Sequence, residues 1–99
     1  MDPAIQHNLQ TLREAVQLRR KLTIAYRDVA GQNSQRSLRP LGCFLWGKVW
    51  TLAAWCESRN AFRTFRLDRM DALQLQDVVF RDETGKTLAN FLRQAGAAP

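Results

Sequence analysis

The apolar residues nearest the start of the chain recur with the period of an α-helix. They are Ile5, Leu9, Leu12 and Val16, at spacings of four, three and four residues. Asp2 and Pro3 are typical of a helix start, because an aspartate side chain caps free backbone N–H groups and proline fits the first turn. His7 lies off the apolar stripe and is predicted to face solvent. The basic triplet 19–21 is predicted to close the helix at the negative end of its dipole, with a binding role as the alternative.

After residue 21 the period of the apolar positions shortens to two, which indicates β-strands. Leu22, Ile24 and Tyr26 form the apolar side of the first strand. The predicted strands cover residues 21–27, 37–46, 49–56, 61–67 and 72–80. A short helix is predicted over residues 87–94, followed by a frayed tail at 96–99.

Short strands joined by close turns favour a sheet that curls into a small barrel. The third strand is apolar on both faces, which predicts an interior position in the sheet, and Pro40 marks an edge or a bulge in the second. We therefore predict a mainly β fold with an N-terminal helix (α+β), built as a five-stranded β-barrel. No repeat or linker divides the chain, so residues 1–99 are assigned to one domain.

Charge adds a prediction about partners. The chain carries 15 Lys and Arg against 9 Asp and Glu, for a net charge of +6. Twelve of the basic residues are arginine. Guanidinium groups grip phosphates with two hydrogen bonds and stack on bases, so this balance favours an anionic partner such as nucleic acid or a nucleotide. The alternative is that the charge only keeps a small protein in solution.

The remaining chemistry of the sequence is sparse. Cys43 and Cys56 lie in apolar runs with no zinc or redox spacing, which predicts two buried thiols in a reducing cytoplasm. No signal peptide or membrane-spanning run is recognisable. We find no nucleophile with a base, no phosphate loop and no set of metal ligands, so we predict a non-enzymatic protein without a cofactor. Asp68 and Asp71 lie among arginines, where ion pairing explains them.

One segment, residues 59–69, interleaves four arginines with two phenylalanines. On a strand, Arg63, Phe65 and Leu67 would share one face, which places an arginine beside apolar residues. Such an arginine needs an anionic partner from the protein or from a ligand. We interpret Arg69 as structural, paired with Asp68 or Asp71, and Arg63 and Arg66 as facing a ligand.

The same segment resembles a known family. The run VWTLAAW at 49–55 and the run RTFRLDRM at 63–70 resemble the WYL domain, named for a Trp-Tyr-Leu triplet on a strand and followed by an R-x-F-R-L-D-R-I segment. The runs LTIAY at 22–26 and RPLG at 39–42 are similar to earlier strands of that family. The resemblance covers about residues 8–94. Trp50 and Leu52 of the triplet are kept, and we predict that both pack in the core. Thr51 stands where the family has tyrosine and points the other way, which alters any contact made there.

The resemblance implies an Sm-like or SH3-like β-barrel with a basic groove. Such domains usually follow a winged helix-turn-helix in homodimeric bacterial transcription regulators, and they are thought to sense single-stranded nucleic acid or a nucleotide-type effector. This chain contains no helix-turn-helix, so it is either an excised domain or a stand-alone relative. The expected ligand-binding residues are Arg63, Arg66, Tyr26, Arg39 and Arg69.

Two other functions stay open on the sequence alone. One is a structural module that dimerises a regulator and binds no ligand. The pairing of Arg63 and Arg66 discriminates between the two, because arginines bound to carboxylates of the same chain would favour the structural function. The other is RNA binding in the manner of an Sm protein, which rests on analogy of fold.

Overall fold

The computed structural model describes residues 2–95, so the predicted tail at 96–99 lies outside the described residues. Two helices and five strands, with a 3₁₀ turn between the last two strands, follow the predicted order. They are α1 (Pro3–Leu18), β1 (Arg20–Arg27), β2 (Asn33–Trp46), β3 (Val49–Cys56), β4 (Ala61–Arg66), the 3₁₀ turn (Leu67–Arg69), β5 (Met70–Val79) and α2 (Leu88–Gln94). The mainly β class with an N-terminal helix is thereby confirmed.

Helix α1 begins as predicted and ends earlier than predicted. The Asp2 carboxylate accepts a hydrogen bond from the backbone N–H of Ala4 across 2.8 Å, which caps the first turn. The helix ends at Leu18, because Arg19 adopts the left-handed conformation with φ of 51°. The prediction that residues 19–21 close the helix is thus confirmed for Arg19, which is the C-cap, and wrong for Arg20 and Lys21. Arg19 turns the chain, and the next two residues already belong to β1.

The five strands form one antiparallel sheet in the order β4-β3-β2-β1-β5. Within residues 2–95 no ladder of hydrogen bonds joins β4 to β5, so the sheet is open at that seam and a closed barrel is not confirmed. The 3₁₀ turn spans the seam instead. In β2 the register shifts between Pro40 and Gly42, which confirms the predicted bulge at Pro40.

The hydrophobic core lies between α1 and one face of the sheet. Leu9, Leu12 and Ala15 of the helix are buried against this face, and so are the predicted Leu22, Ile24 and Tyr26 of β1. The other face is covered at β3 and β4 by α2, where the ring of Phe91 lies 5.7 Å from that of Phe62. We call these the core face and the outer face of the sheet.

Strand β3 contains two residues that were expected in the core, and only one of them is fully buried. Leu52 is fully buried in the core, as predicted. Trp50 is only half-buried, because it lies near the tip of the β2–β3 hairpin, where the core ends. The guanidinium of Arg13 on α1 covers its ring at 5.3 Å.

The two cysteines are free thiols. Cys56 is buried and Cys43 is half-buried. Burial raises the pKa of the Cys43 thiol to about 11, so the unreactive protonated form prevails near neutral pH. No helix in the described part of the chain is long and apolar enough to cross a membrane.

Candidate ligand site

The candidate site lies at one end of the core face of the sheet, where the buried residues stop. Arg36 of β2 is the cross-strand partner of the buried Ile24, and Arg63 of β4 is the partner of the buried Ala54. Opposite residues in an antiparallel pair project to the same side of the sheet. Both arginines therefore continue the core face, at the end where apolar residues give way to solvent. This register confirms the predicted shared face of Arg63 and Phe65. Leu67 lies just beyond β4, in the 3₁₀ turn, and is buried in the same core.

A cavity of about 330 Å³ opens at this end of the sheet. Its walls contain four of the five residues that the sequence assigns to a ligand site. These are Tyr26, Arg63, Arg66 and Arg69. Arg36 and Phe65 complete the part of the wall that faces them. The fold thus brings four arginines from two strands and the 3₁₀ turn to one cavity with aromatic rings beside them.

Three of these four arginines form no ion pair within residues 2–95, namely Arg36, Arg63 and Arg69. Arg36 is half-buried, and its Nε–H donates to Ser34 Oγ across 3.1 Å. Its Nη1 lies 3.9 Å from Cys56 Sγ, and its guanidinium lies 6.0 Å from the ring centre of Phe65. Arg63 is exposed. Within residues 2–95 neither arginine has a carboxylate oxygen within 4.0 Å, the limit for an ion pair.

Arg66 differs because it is paired within the chain. Its Nε and Nη2 donate to the two carboxylate oxygens of Asp68 across 3.0 and 2.7 Å. These hydrogen bonds hold the pKa of the Asp68 carboxyl below its ordinary value. Both side chains are about two-fifths exposed, at 40% and 41%, so the ion pair is a solvated one.

Tyr26 forms the buried floor of the cavity. Its ring meets that of Phe65 edge to face, with the centres 5.1 Å apart. Its hydroxyl accepts a hydrogen bond from the backbone N–H of Arg66 across 3.0 Å. The tyrosine therefore fixes the position at which β4 turns into the 3₁₀ segment.

The cavity also contains one acidic wall residue, Asp28. Its Oδ1 accepts from the backbone N–H groups of Ala30 and Gln32, each across 2.9 Å. The carboxylate is engaged in the turn between β1 and β2, yet its charge remains. Arg66 and Asp68 offset each other, so the charges of Arg36, Arg63 and Arg69 stand against that of Asp28 in the wall.

Arg39 is placed apart from the other predicted residues. It binds Glu57 Oε2 across 3.0 Å and Glu83 Oε1 across 3.4 Å, and its side chain is only 16% exposed. Lys21 joins the same cluster through Glu57 across 2.9 Å. Burial opposes ionisation of Glu57, but the hydrogen bonds from Lys21 and Arg39 outweigh it and lower the pKa of the carboxyl.

The carboxylates expected to bind Arg69 are taken by other arginines. Asp68 binds Arg66, and Asp71 binds Arg27 Nε across 3.0 Å. Arg69 is half-buried and has no carboxylate oxygen within 4.0 Å among residues 2–95. Its positive charge nevertheless contributes to the lowered pKa of Asp68.

Arg36 is the site residue that sequence reasoning missed. The signal was present, since Ser34, Arg36 and Leu38 alternate along β2 and Leu38 is fully buried. An arginine in phase with a buried position indicates a cation that projects from the core face. The predicted strand began at residue 37 and therefore left Arg36 outside it.

With this geometry in place, comparison with known proteins identifies the family. The family profile of the WYL domain matches residues 7–75, which is more than half of the chain. The chain belongs to the WYL domain family. The matched span includes every wall residue named above.

A solved structure with the same fold as this WYL domain is that of proteasome accessory factor B/C (PafBC) of Arthrobacter aurescens. The two superpose with a TM-score of 0.75 and share 22% sequence identity over 84% of this chain. The matched region is 14% of the PafBC chain, so this WYL domain spans a small part of that protein.

Thr51, which replaces the tyrosine of the family's triplet, is buried on the outer face. It is the cross-strand partner of Arg66 on β4 and of Phe44 on β2. The substitution therefore changes the neighbourhood of the Arg66 side chain and leaves the core face untouched.

Proposed function

We propose that this WYL domain is a sensing domain that binds single-stranded nucleic acid or a nucleotide-type effector in the cavity at the end of the core face. The observation that carries the proposal is the pair of Arg36 and Arg63, two guanidinium groups held at one cavity without a carboxylate partner among the described residues. Membership of the WYL family supports it, because domains of this family are thought to sense such ligands.

The half-buried Arg36 gives the proposal its physical basis. Partial removal of a charge from water has a free-energy cost unless an opposite charge or good hydrogen bonds compensate for it. Ser34 Oγ offers one acceptor and Cys56 Sγ a weak one. A phosphate would supply a negative charge and several acceptors in the forked geometry that guanidinium groups prefer.

The proposed roles follow from position. Arg63 and Arg36 hold the phosphate from the core face, and Arg66 and Arg69 approach it from the end of β4 and the 3₁₀ turn. Tyr26 and Phe65 form an apolar floor beside which a base or sugar can pack. Arg39, which two glutamates hold elsewhere, is left out of the proposed site.

The proposed activity is binding and not catalysis. In a longer regulator, a ligand that binds one conformation better than another would shift the population towards it, and the shift would reach an attached DNA-binding domain. We include in this proposal a homodimeric assembly, as in the regulators in which such domains usually occur.

A second function, a structural interaction module without a ligand, has one observation in its favour. The guanidinium of Arg66 already has a carboxylate partner, Asp68, within the chain. Arg63 has no such partner among residues 2–95, so the pairing expected of a structural module is only half present.

Fluorescence anisotropy with labelled oligonucleotides tests the proposed function. Arginines with aromatic rings and no recognition helix suit unstacked bases, so we expect tighter binding to single-stranded DNA or RNA than to a duplex at the same salt concentration. Arg63→Ala should weaken single-strand binding by about 1.5–3 kcal/mol, the contribution of a charge-assisted hydrogen bond. Arg81→Ala, which removes an exposed arginine outside this cavity, is the matched control. Equal binding to duplex, or equal loss in both variants, would contradict the proposal.

A further inference from the structure

Buried side chains back the inner side of the proposed site. Tyr26 and Phe65 line the cavity and Cys56 contacts Arg36, with exposures of 9%, 3% and 0%. The guanidinium of Arg36 lies against two of them, Cys56 and Phe65. A ligand group that reaches Arg36 must therefore approach from the solvent side and stop there.

The size of the cavity limits what can enter. Its volume of about 330 Å³ is at the lower end of the range of about 300–1,000 Å³ that is typical of small-molecule pockets. An internal phosphodiester of a nucleic acid carries chain on both sides, and both continuations would have to leave past the same rim. A terminal phosphate carries chain on one side only, so it can reach the floor with its free oxygens first.

The charge of the site points to the same ligand group. Asp28 and Asp68 balance two of the four guanidinium groups, which leaves a local excess of about two positive charges. A phosphodiester carries one negative charge, whereas a phosphomonoester carries about 1.5–2 at neutral pH and has three free oxygens as acceptors. The monoester therefore matches both the charge excess and the number of available donors better.

We infer that the site recognises a terminal phosphomonoester, either the phosphorylated end of a single strand or a free nucleoside monophosphate, in preference to a phosphodiester within a chain. The inference rests on the proposed function and names the chemical group that the same cavity selects. Arg36 is the residue that provides the selection, because its half-buried guanidinium lies against the buried side chains of Cys56 and Phe65.

Oligonucleotides that differ only at one end test the inference. A single-stranded DNA with a 3′ fluorophore is prepared with a 5′-phosphate and with a 5′-hydroxyl, and the same sequence with a 5′ fluorophore is prepared with a 3′-phosphate and a 3′-hydroxyl. We expect at least one phosphorylated form to bind the full chain at least tenfold more tightly than its hydroxyl partner. Equal affinities in both pairs would overturn the inference and leave the proposed function standing. No binding of any form would overturn both.

Substitution of Arg36 tests whether this residue causes the preference for the phosphorylated form. Arg36→Gln keeps much of the side chain and removes the charge, and we expect the ratio of affinities between phosphorylated and hydroxyl forms to fall towards one. Arg63→Gln, at an exposed position, should lower both affinities and retain more of that ratio, and Arg81→Gln should leave the ratio unchanged. Because the readout is a ratio within each folded variant, a loss of stability does not imitate the effect. A ratio that Arg36→Gln leaves intact would overturn the role of Arg36.

Competition distinguishes the two sources of the phosphate. Deoxyadenosine monophosphate that displaces the phosphorylated strand, where deoxyadenosine does not, would support a free nucleotide as a sufficient ligand. Failure of the mononucleotide to compete, with the preference for the phosphorylated strand intact, would support a strand end as the ligand. Equal competition by deoxyadenosine and its monophosphate would contradict recognition of the phosphate.

Discussion

The hydroxyl of Tyr26 accepts a hydrogen bond from the backbone N–H of Arg66, and this single contact joins β1 to the last residue of β4. The two strands are separated by β2 and β3 in the sheet, so no ladder of backbone hydrogen bonds joins them directly. The contact therefore sets the distance between two sides of the candidate site. It also positions the backbone from which the Arg66 side chain leaves.

Tyr26→Phe tests this contact. The ring stays against Phe65, but the partly buried N–H of Arg66 loses its acceptor, so we expect a loss of about 1–3 kcal/mol in the free energy of unfolding. Urea denaturation followed by circular dichroism measures it. Ligand binding should weaken as well, because the end of β4 loses its anchor. Wild-type stability in the variant would show that water replaces the hydroxyl at no cost.

Arg63→Ala and Arg66→Ala separate a ligand-binding role from a structural one. Arg63 has no carboxylate partner in the described part of the chain, so its removal should leave the melting temperature unchanged or raise it slightly. Arg66 loses a solvated ion pair with Asp68, for which we expect about 0–1 kcal/mol. Both variants should lose affinity for a single-stranded oligonucleotide. Collapse of the melting temperature with normal binding by the folded fraction would favour the structural module.

The salt dependence of binding checks whether phosphates dominate the affinity. We expect the logarithm of the affinity to fall linearly with the logarithm of the salt concentration, by roughly 0.7 per phosphate neutralised on a single strand. The arginines in the cavity and at its rim should together contact on the order of two to four phosphates of a bound strand, so the total slope should be about −1.4 to −2.8. Anisotropy titrations at several sodium chloride concentrations measure it. A slope near zero would exclude a phosphate-led interaction.

Leu52→Ala and Trp50→Ala compare the centre of the core with its margin. Leu52 is fully buried, so its truncation should cost about 2–5 kcal/mol of stability. Trp50 is half-buried beneath Arg13, and loss of its partial burial should cost only about 1–2 kcal/mol. Chemical denaturation of both variants gives the comparison. A greater loss for Trp50→Ala would place that ring in the core after all.

The periodicity of the sequence was sufficient to predict the elements of the fold. Alternation over residues 21–27 and the apolar run of β3 identify strands because burial on one face, or on both, leaves a direct pattern. The end of α1 was misplaced because a left-handed Arg19 has no residue signature of the kind that glycine provides. Closure of the sheet was not predictable, since it depends on how far β4 and β5 lie apart after three intervening strands have twisted.

The site was predicted less completely than the fold, because the sequence does not show which carboxylate each arginine binds. The Arg66–Asp68 ion pair joins residues two apart, at the point where the chain leaves β4 for a 3₁₀ turn. Asp68 or Asp71 was expected to bind Arg69 instead, because adjacency along the chain does not show which arginine reaches a carboxylate. Arg39 was drawn into the predicted site by its place in a family motif, but two glutamates from distant segments bind it elsewhere.

The position of Tyr26 makes it a spectroscopic probe that the chain already contains. It is the only tyrosine among the 99 residues, so biosynthetic incorporation of fluorotyrosine would place a fluorine label at one site in the protein. That label would lie at the floor of the cavity, in contact with Phe65 and beside the backbone of Arg66. The three tryptophans, in contrast, are not among the residues that line this cavity. Fluorine NMR would thus report on occupancy of the cavity, while tryptophan fluorescence follows unfolding in the same sample.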